Sequence, residues 1–191
     1  MQMNPAQKIN PIIRAFITSE FFFWSAWNSI TPIFTVFVMK GIDGSNIAIA
    51  TSAYSFHLVV RIVTELLIGK KFPYSKDRVK IFITLLGLVI ISIAYIGLAF
   101  TRSIQAIFLF FGLIGLGFGI ASPAKLSLFS IHLDRKKETY EWSVYDAISM
   151  GGMAISAFLA GLIIHEWGFQ TMFALAALIN FIGILPYLLL L

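Results

Sequence analysis

Six long apolar stretches, separated by short polar breaks, constrain this 191-residue sequence more than any other feature. A helix that crosses the roughly 30 Å hydrocarbon core of a bilayer needs about 20 predominantly apolar residues. We therefore predict an all-α integral membrane protein with six transmembrane helices and a single domain, residues 1–191. The approximate bounds of the helices are 15–39, 46–68, 81–100, 104–131, 143–164 and 169–190. Only 12% of the residues are charged, so little sequence remains for a separate soluble domain.

The distribution of Lys and Arg predicts the orientation of these helices. The N-terminal segment and the alternate loops on one side carry ten basic residues, namely Lys8, Arg14, Lys70, Lys71, Lys76, Arg78, Lys80, Arg135, Lys136 and Lys137. The other side carries Lys40 and Arg102. By the positive-inside rule the ten-residue side is cytoplasmic, which predicts that both termini lie in the cytoplasm. We expect the protein to lie in the plasma membrane. The net charge of +5 then reflects topology, and we predict no nucleic-acid partner.

A weak internal repeat relates the two halves of the sequence. At an offset of 91 residues, Thr31-Pro32 aligns with Ser122-Pro123, and Ser52 and Tyr54 align with Ser143 and Tyr145. Helices one to three (residues 1–100) therefore resemble helices four to six (residues 101–191). Because three is an odd number, the second triplet crosses the membrane in the opposite sense, which predicts two inverted three-helix repeats of the kind found in secondary transporters.

Three segments give the sequence a resemblance to one half of a major facilitator superfamily transporter. The basic loop 69–80 is similar to the signature loop of that family, although Pro73 stands where the family has Asp. The stretch 111–123 is similar to its glycine-rich fourth helix, with Phe111 at the position of the usual Arg. The charged segment 134–146, followed by Gly151 and Gly152, resembles its middle loop and fifth helix.

This resemblance implies secondary-active transport of a small solute by alternating access. Members of the family usually contain two six-helix bundles with the solute between them, so the resemblance implies a second copy of this chain, as a homodimer of half-transporters, or a second half of the same family. Two alternatives remain: a membrane scaffold or assembly subunit without transport activity, and the N-terminal half of a longer twelve-helix transporter. The lipid bilayer is the remaining partner that the sequence predicts.

Charged residues inside the predicted spans are candidate functional residues, because an unpartnered charge in lipid costs several kcal/mol. Five lie near the cytoplasmic end of their helices: Glu20, Arg61, Glu65, Lys125 and Asp146. Similar depths in neighbouring helices favour the pairs Glu20 with Arg61 and Lys125 with Asp146. These residues line a solute pathway or form purely structural pairs.

Polar and aromatic residues add further candidates for solute binding or gating. On helix one, Glu20, Trp24, Trp27 and Asn28 are spaced by three or four residues and therefore share one face. On helix two, His57 precedes Arg61 and Glu65 at intervals of four residues, a stripe that suits proton handling or helix–helix hydrogen bonding. Ser122 on helix four and the repeat-related Tyr54 and Tyr145 complete the candidate set.

No catalytic apparatus is visible in the sequence. The absence of Cys excludes thiolate chemistry, and there is neither a Ser/His/Asp set nor a metal-ligand spacing. The glycines at 112, 115, 117 and 119, like those at 151, 152 and 161, lie in apolar helices without a preceding strand, which favours close helix packing over a phosphate-binding loop. We therefore predict a protein that is not an enzyme and needs no cofactor or metal.

Overall fold

The computed structural model describes residues 10–72 and 75–191, and it is helical almost throughout these ranges. Lys8 of the basic N-terminal segment and Pro73 of the basic loop lie outside the described residues. The helices are α1 (Pro11–Ile30), α2 (Phe34–Gly41), α3 (Ile47–Lys71), α4 (Asp77–Ala99), α5 (Ile104–Ile131), α6 (Glu138–Ile182) and α7 (Leu185–Leu188), with a short 3₁₀ turn, Thr31–Ile33, between α1 and α2.

Side-chain caps define where three of these helices begin. Asn10 Oδ1 accepts the backbone N–H of Ile12 at 2.9 Å at the start of α1, and Asn46 Oδ1 accepts that of Ile49 at 3.0 Å at the start of α3. Ser103 caps α5 in the same way. Each cap satisfies a backbone donor that the first helical turn leaves without a partner, so the polar breaks in the sequence are helix start signals.

One proline and one glycine coincide with departures from α-helical geometry in the long helices. Pro32 lies in the 3₁₀ turn that joins α1 to α2, whereas α5 continues through Pro123. Gly168 has φ 80° and ψ 173° and interrupts α6. Only glycine adopts this region of φ/ψ space without strain. The position of this glycine therefore determines where the helix is interrupted.

Within the part of the chain that the structure describes, five helical segments are long and apolar enough to cross a membrane: Pro11–Gly41, Ile47–Lys71, Asp77–Ala99, Ile104–Ile131 and Glu138–Leu188. The predicted all-helical, membrane-type architecture is therefore confirmed, and the first four segments match predicted helices. The predicted six-helix count is not confirmed, because the helix continues through the predicted turn at 165–168 and departs from helical geometry at Gly168 alone.

The helices form one bundle in which α6 packs against two neighbouring helices. α3 and α4 both pack on α5, while α6 packs on α1 and α4. Asn28 donates its side-chain N–H to the carbonyl of Met153 at 2.9 Å, which joins α1 to the part of α6 before Gly168. Asn180 donates to Leu88 O and to Ser92 Oγ, each at 2.8 Å, which joins the part after Gly168 to α4.

Glycines on α5 allow its neighbours to approach closely. A Cβ added at Gly117 would lie 2.7 Å from Gly87 O and 2.6 Å from Ile91 Cγ1 on α4. The packing role predicted for the α5 glycines is thus confirmed. On α6 it holds for Gly152, which faces α1, but it is wrong for Gly151 and Gly161, where an added Cβ would meet no atom within 4 Å.

Candidate functional site

A buried ion pair lies in the centre of the bundle. Lys125 Nζ on α5 donates to Glu20 Oε1 on α1 at 2.6 Å, and the exposed fractions of the two side chains are 3% and 1%. The cost of transferring two charges from water into a low-dielectric interior is large, and it is recovered only where the geometry is good and further hydrogen bonds are made. The surroundings of the pair therefore decide what it does.

Three aromatic side chains surround the two charges. Trp24 Nε1 donates to Glu20 Oε2 at 3.0 Å, and the Tyr145 hydroxyl on α6 lies 3.5 Å from the same oxygen. Lys125 Nζ also lies 3.6 Å from the ring centroid of Phe23, a favourable cation–π arrangement. We call Glu20, Trp24, Lys125 and Tyr145 the charged network. Because Trp24 and Tyr145 are only partly buried, the network extends from the core toward an open face of the bundle.

A second cluster adjoins the charged network on α1, α3 and α5. The His57 ring stacks on Trp27 with a centroid distance of 5.0 Å, and Tyr54 lies beside both rings. Phe118 contacts His57 edge-on at 5.5 Å and also Phe23 at 4.8 Å, which connects the cluster to the charged network. His57 is 1% exposed, and its Nδ1 has no hydrogen-bond partner among the described residues. We call Trp27, Tyr54, His57 and Phe118 the histidine cluster.

The ion pairs differ from those that the sequence favoured. Glu20 pairs with Lys125 instead of Arg61, and Arg61 pairs with Glu65 at 3.4 Å, one turn along α3. Asp146 is exposed, so it does not neutralise Lys125. The physical reason is that Arg61 has a carboxylate four residues away on its own helix, which leaves Glu20 for the long Lys125 side chain from α5.

The other sequence candidates lie around these clusters. Ser122 is buried on α5, one turn before Lys125, while Asn28 on α1 is occupied by its hydrogen bond to Met153 O. Arg61 and Glu65 are partly exposed, with side-chain fractions of 28% and 33%, and the Arg61 guanidinium lies 5.0 Å from the Phe118 ring centroid. Seven of the twelve candidates thus belong to the two clusters, and Arg61 contacts the histidine cluster through Phe118, whereas Asp146 is exposed.

Sequence reasoning missed Phe23 and Phe118. Phe118 lies within the glycine-rich stretch of α5, which predicts helix packing. Its sequence neighbours are also apolar, so its polarity did not distinguish it from them. One signal was available: Phe118 lies seven residues before Lys125, so both lie on the same face of α5. An aromatic residue on the same face as an intramembrane cation is a candidate cation–π or solute-stacking group.

These features define a multi-pass helical membrane protein with an ion pair and a polar aromatic network in its core. The chain belongs to the Major Facilitator Superfamily, whose family model matches residues 16–191. This is a family of membrane transporters and therefore a non-enzyme class. No curated protein shows a significant match to the sequence.

Solved structures of transporters share the fold. The chain is similar to the in meso crystal structure of the POT family transporter PepTSo, with a TM-score of 0.78 and 21% identity over 96% of this chain and 38% of that one. It is also similar to an auto-inhibited POT family peptide transporter, with a TM-score of 0.76 and 18% identity over 94% and 37% of the two chains. A peptide transporter POT E310Q mutant in complex with sulfate gives a TM-score of 0.70 and 22% identity over 93% and 37%. The chain thus spans under two-fifths of the length of these transporters.

Proposed function

We propose that this chain is one six-span half of a secondary transporter, which moves a small solute by alternating access and holds it at the charged network. The buried pair Lys125–Glu20 carries this proposal. Ionisable side chains inside membrane spans typically line substrate or ion pathways. Apolar side chains of similar volume in the core would stabilise the fold equally well, so stability alone does not explain a buried ion pair. Trp24 and Tyr145, partly exposed beside the pair, offer hydrogen bonds to a bound solute.

The proposed six spans divide α6 at Gly168. The two resulting parts have different partners: Asn28 of α1 contacts the first, and Asn180 of the second contacts α4. In an inverted repeat, α1 corresponds to α5, and α3 corresponds to the first part of α6. A contact between α1 and the first part of α6 should then be matched by a contact between α5 and α3. Both contacts are present. The proposed repeats then cover 1–100 and 101–191, and the basic loops support a cytoplasmic location for both termini.

A second bundle is proposed to complete the solute pathway. The ion pair Arg61–Glu65 on α3 and Asp146 on α6 are partly or fully exposed, although both helices belong to membrane spans. Such groups are costly against lipid and favour a water-filled cavity or a protein partner. We propose that this open face meets a second copy of the chain, as a homodimer in the plasma membrane, or a second half of the same family.

The proposed solute is small and carries charges of both signs. Glu20 and Lys125 present a carboxylate and an ammonium group 2.6 Å apart, so a zwitterion that inserts between them replaces one ion pair with two. Two of the similar structures are described as peptide transporters. A dipeptide is therefore the first solute to test, followed by free amino acids.

Uptake into proteoliposomes tests the transport proposal. Saturable uptake of a labelled dipeptide or amino acid is expected for the native chain and for the control Glu166→Gln, whose side chain is 65% exposed. Lys125→Met is expected to reduce uptake at least tenfold, since it removes one charge of the pair. Uptake no greater than in empty liposomes across the solute panel would favour the alternative of a non-transporting membrane scaffold or assembly subunit.

The oligomeric state tests the second bundle. Nanodiscs that contain the chain are expected to hold two copies, and cysteine pairs introduced on the open face of α3 are expected to cross-link between copies. Transport by a strictly monomeric chain would contradict the proposal that a second bundle completes the solute pathway. An open reading frame that continues into six more spans would instead supply a second half within one polypeptide.

A further inference from the structure

A separate cavity lies at the basic end of the bundle, the end that carries the loops 69–80 and 132–137. Its volume is about 180 Å³, and it lies between the end of α3, the start of α4 and the last third of α5. Gly69, Ser75, Lys80 and Ser127 contribute to its wall. None of these residues belongs to the charged network or the histidine cluster, so the transport proposal does not use the cavity.

Lys80 differs from the other basic residues of the same region. It is 7% exposed, whereas the neighbouring basic side chains Lys70, Lys71, Lys76 and Arg78 are exposed. A lysine that only marks the membrane surface extends its ammonium group into water. Lys80 is instead enclosed at the wall of the cavity, only three residues after the first residue of α4.

No acidic side chain in the described ranges neutralises the charge of Lys80. Among residues 10–72 and 75–191, no hydrogen bond or ion pair to the Lys80 ammonium group is present. Asp77, one turn earlier on α4, is 3.1 Å from His132 Nε2 through its Oδ2. The Lys80 side chain is largely withdrawn from water and gains no counter-charge from the described residues, so an anion in the cavity would be a favourable partner for it.

The neighbouring structure adds to the positive potential of the cavity. The first turn of α4, a 23-residue helix, carries the positive end of the helix dipole, and helix N-termini bind phosphate for that reason. The cavity wall includes Ser75 just before this turn and Lys80 within it. Ser127 contributes a hydroxyl group from α5.

We propose that this cavity binds a phosphate group, with the Lys80 ammonium as its counter-charge and the Ser127 hydroxyl as a hydrogen-bond donor. The volume suits a group of this size, since a water molecule in the liquid occupies about 30 Å³. The phosphate comes from free inorganic phosphate or from the headgroup of a lipid with a terminal phosphate. Both present the same oxyanion. The proposed topology puts the basic end of the bundle at the membrane–water interface, where lipid headgroups and dissolved ions are both accessible.

Thermal unfolding of the purified full chain distinguishes these sources. One arm adds potassium phosphate to the detergent-solubilised protein, with potassium chloride of equal ionic strength as the control. The other arm compares nanodiscs of phosphatidic acid and phosphatidylcholine with nanodiscs of phosphatidylcholine alone. We expect the unfolding temperature to rise and saturate in at least one arm. A rise in the first arm identifies free phosphate, and a rise in the second arm only identifies the lipid headgroup.

Variants determine whether the response arises in this cavity. Lys80→Met is expected to abolish the rise, while Lys76→Met, which removes an exposed charge of the same region, is expected to retain it. Gly69→Leu leaves Lys80 intact and is expected to fill the cavity, because a Cβ at Gly69 meets no atom within 4 Å; this variant tests the site even if Lys80→Met does not fold. A native chain without a response to either probe, or an undiminished response in Lys80→Met or Gly69→Leu, would overturn the proposal.

Discussion

Lys125 and Glu20 lie 105 residues apart in the sequence, yet their side chains meet at 2.6 Å in the core of the bundle. The contact joins α5 to α1, the first helices of the two proposed repeats. It is supported on one side by the Trp24 indole and on the other by the face of Phe23. Substrate and ion sites of secondary transporters typically lie at the interface between repeats, which is why we propose this pair as the solute site.

Substitution of the pair separates its structural contribution from its functional one. Glu20→Gln leaves the Lys125 ammonium buried without a counter-charge, and breaking such a pair typically costs about 3–5 kcal/mol of stability. The double variant Glu20→Leu with Lys125→Met is expected to recover most of that loss, because two apolar side chains of similar volume need no mutual neutralisation. Thermal unfolding in detergent measures both changes.

Uptake by the same double variant provides the functional readout. We expect at least a tenfold loss of transport in a protein that keeps most of the native stability. Retention of native uptake by the double variant would mean that the pair serves the fold alone.

Gly117 allows α5 to pack closely on α4, because a side chain at this position would collide with α4. In Gly117→Val the new side chain must displace Gly87 or Ile91, and overpacking of this kind costs about 1–3 kcal/mol. Gly161→Val is the matched control, because it also lies in a helix but has open space around its Cβ. We expect a lower unfolding temperature for the first variant only. Equal temperatures for the two variants would contradict the close approach of α4 and α5.

His57 offers a test of proton coupling. Phe at this position keeps an aromatic ring against Trp27 but removes the group that binds a proton. If His57 carries the coupling proton, His57→Phe is expected to reduce uptake driven by a pH gradient to the level driven by the solute gradient alone. His165→Phe, whose native ring is 83% exposed, is the control. Native uptake that does not respond to a pH gradient would exclude this role for His57.

The sequence predicted most of the helical architecture, because apolar length and polar caps are local signals. The bounds 104–131 agree with α5, and the predicted break at 101–103 agrees with its cap at Ser103. The predicted end of the fifth helix at 164 differs from the structure. His165 to Trp167 are polar or amphipathic and suggested a turn, yet all three remain helical, and only Gly168 has a positive φ.

The sequence also predicted which faces carry polar residues but did not predict their partners. Glu20, Trp24 and Trp27 share a face of α1 by their spacing alone, and the structure places them in the two clusters. Partner choice depends on how helices distant in sequence are arranged and on the reach of long side chains. Arg61 therefore pairs within α3 and Lys125 across the bundle, and no periodicity in the sequence distinguishes these pairs from the alternatives.

The transport proposal depends most directly on how often the chain crosses the membrane and on which side of the membrane each loop lies. Because the sequence contains no Cys, single cysteines can be introduced at exposed positions and labelled from each side with an impermeant reagent. We expect Lys76→Cys and Arg135→Cys to react from one side, and Asp43→Cys, Arg102→Cys and Glu166→Cys from the other. Labelling of Glu166→Cys from the same side as Lys76→Cys, or of Lys76→Cys and Arg135→Cys from opposite sides, would contradict the six-span bundle and the transport proposal built on it.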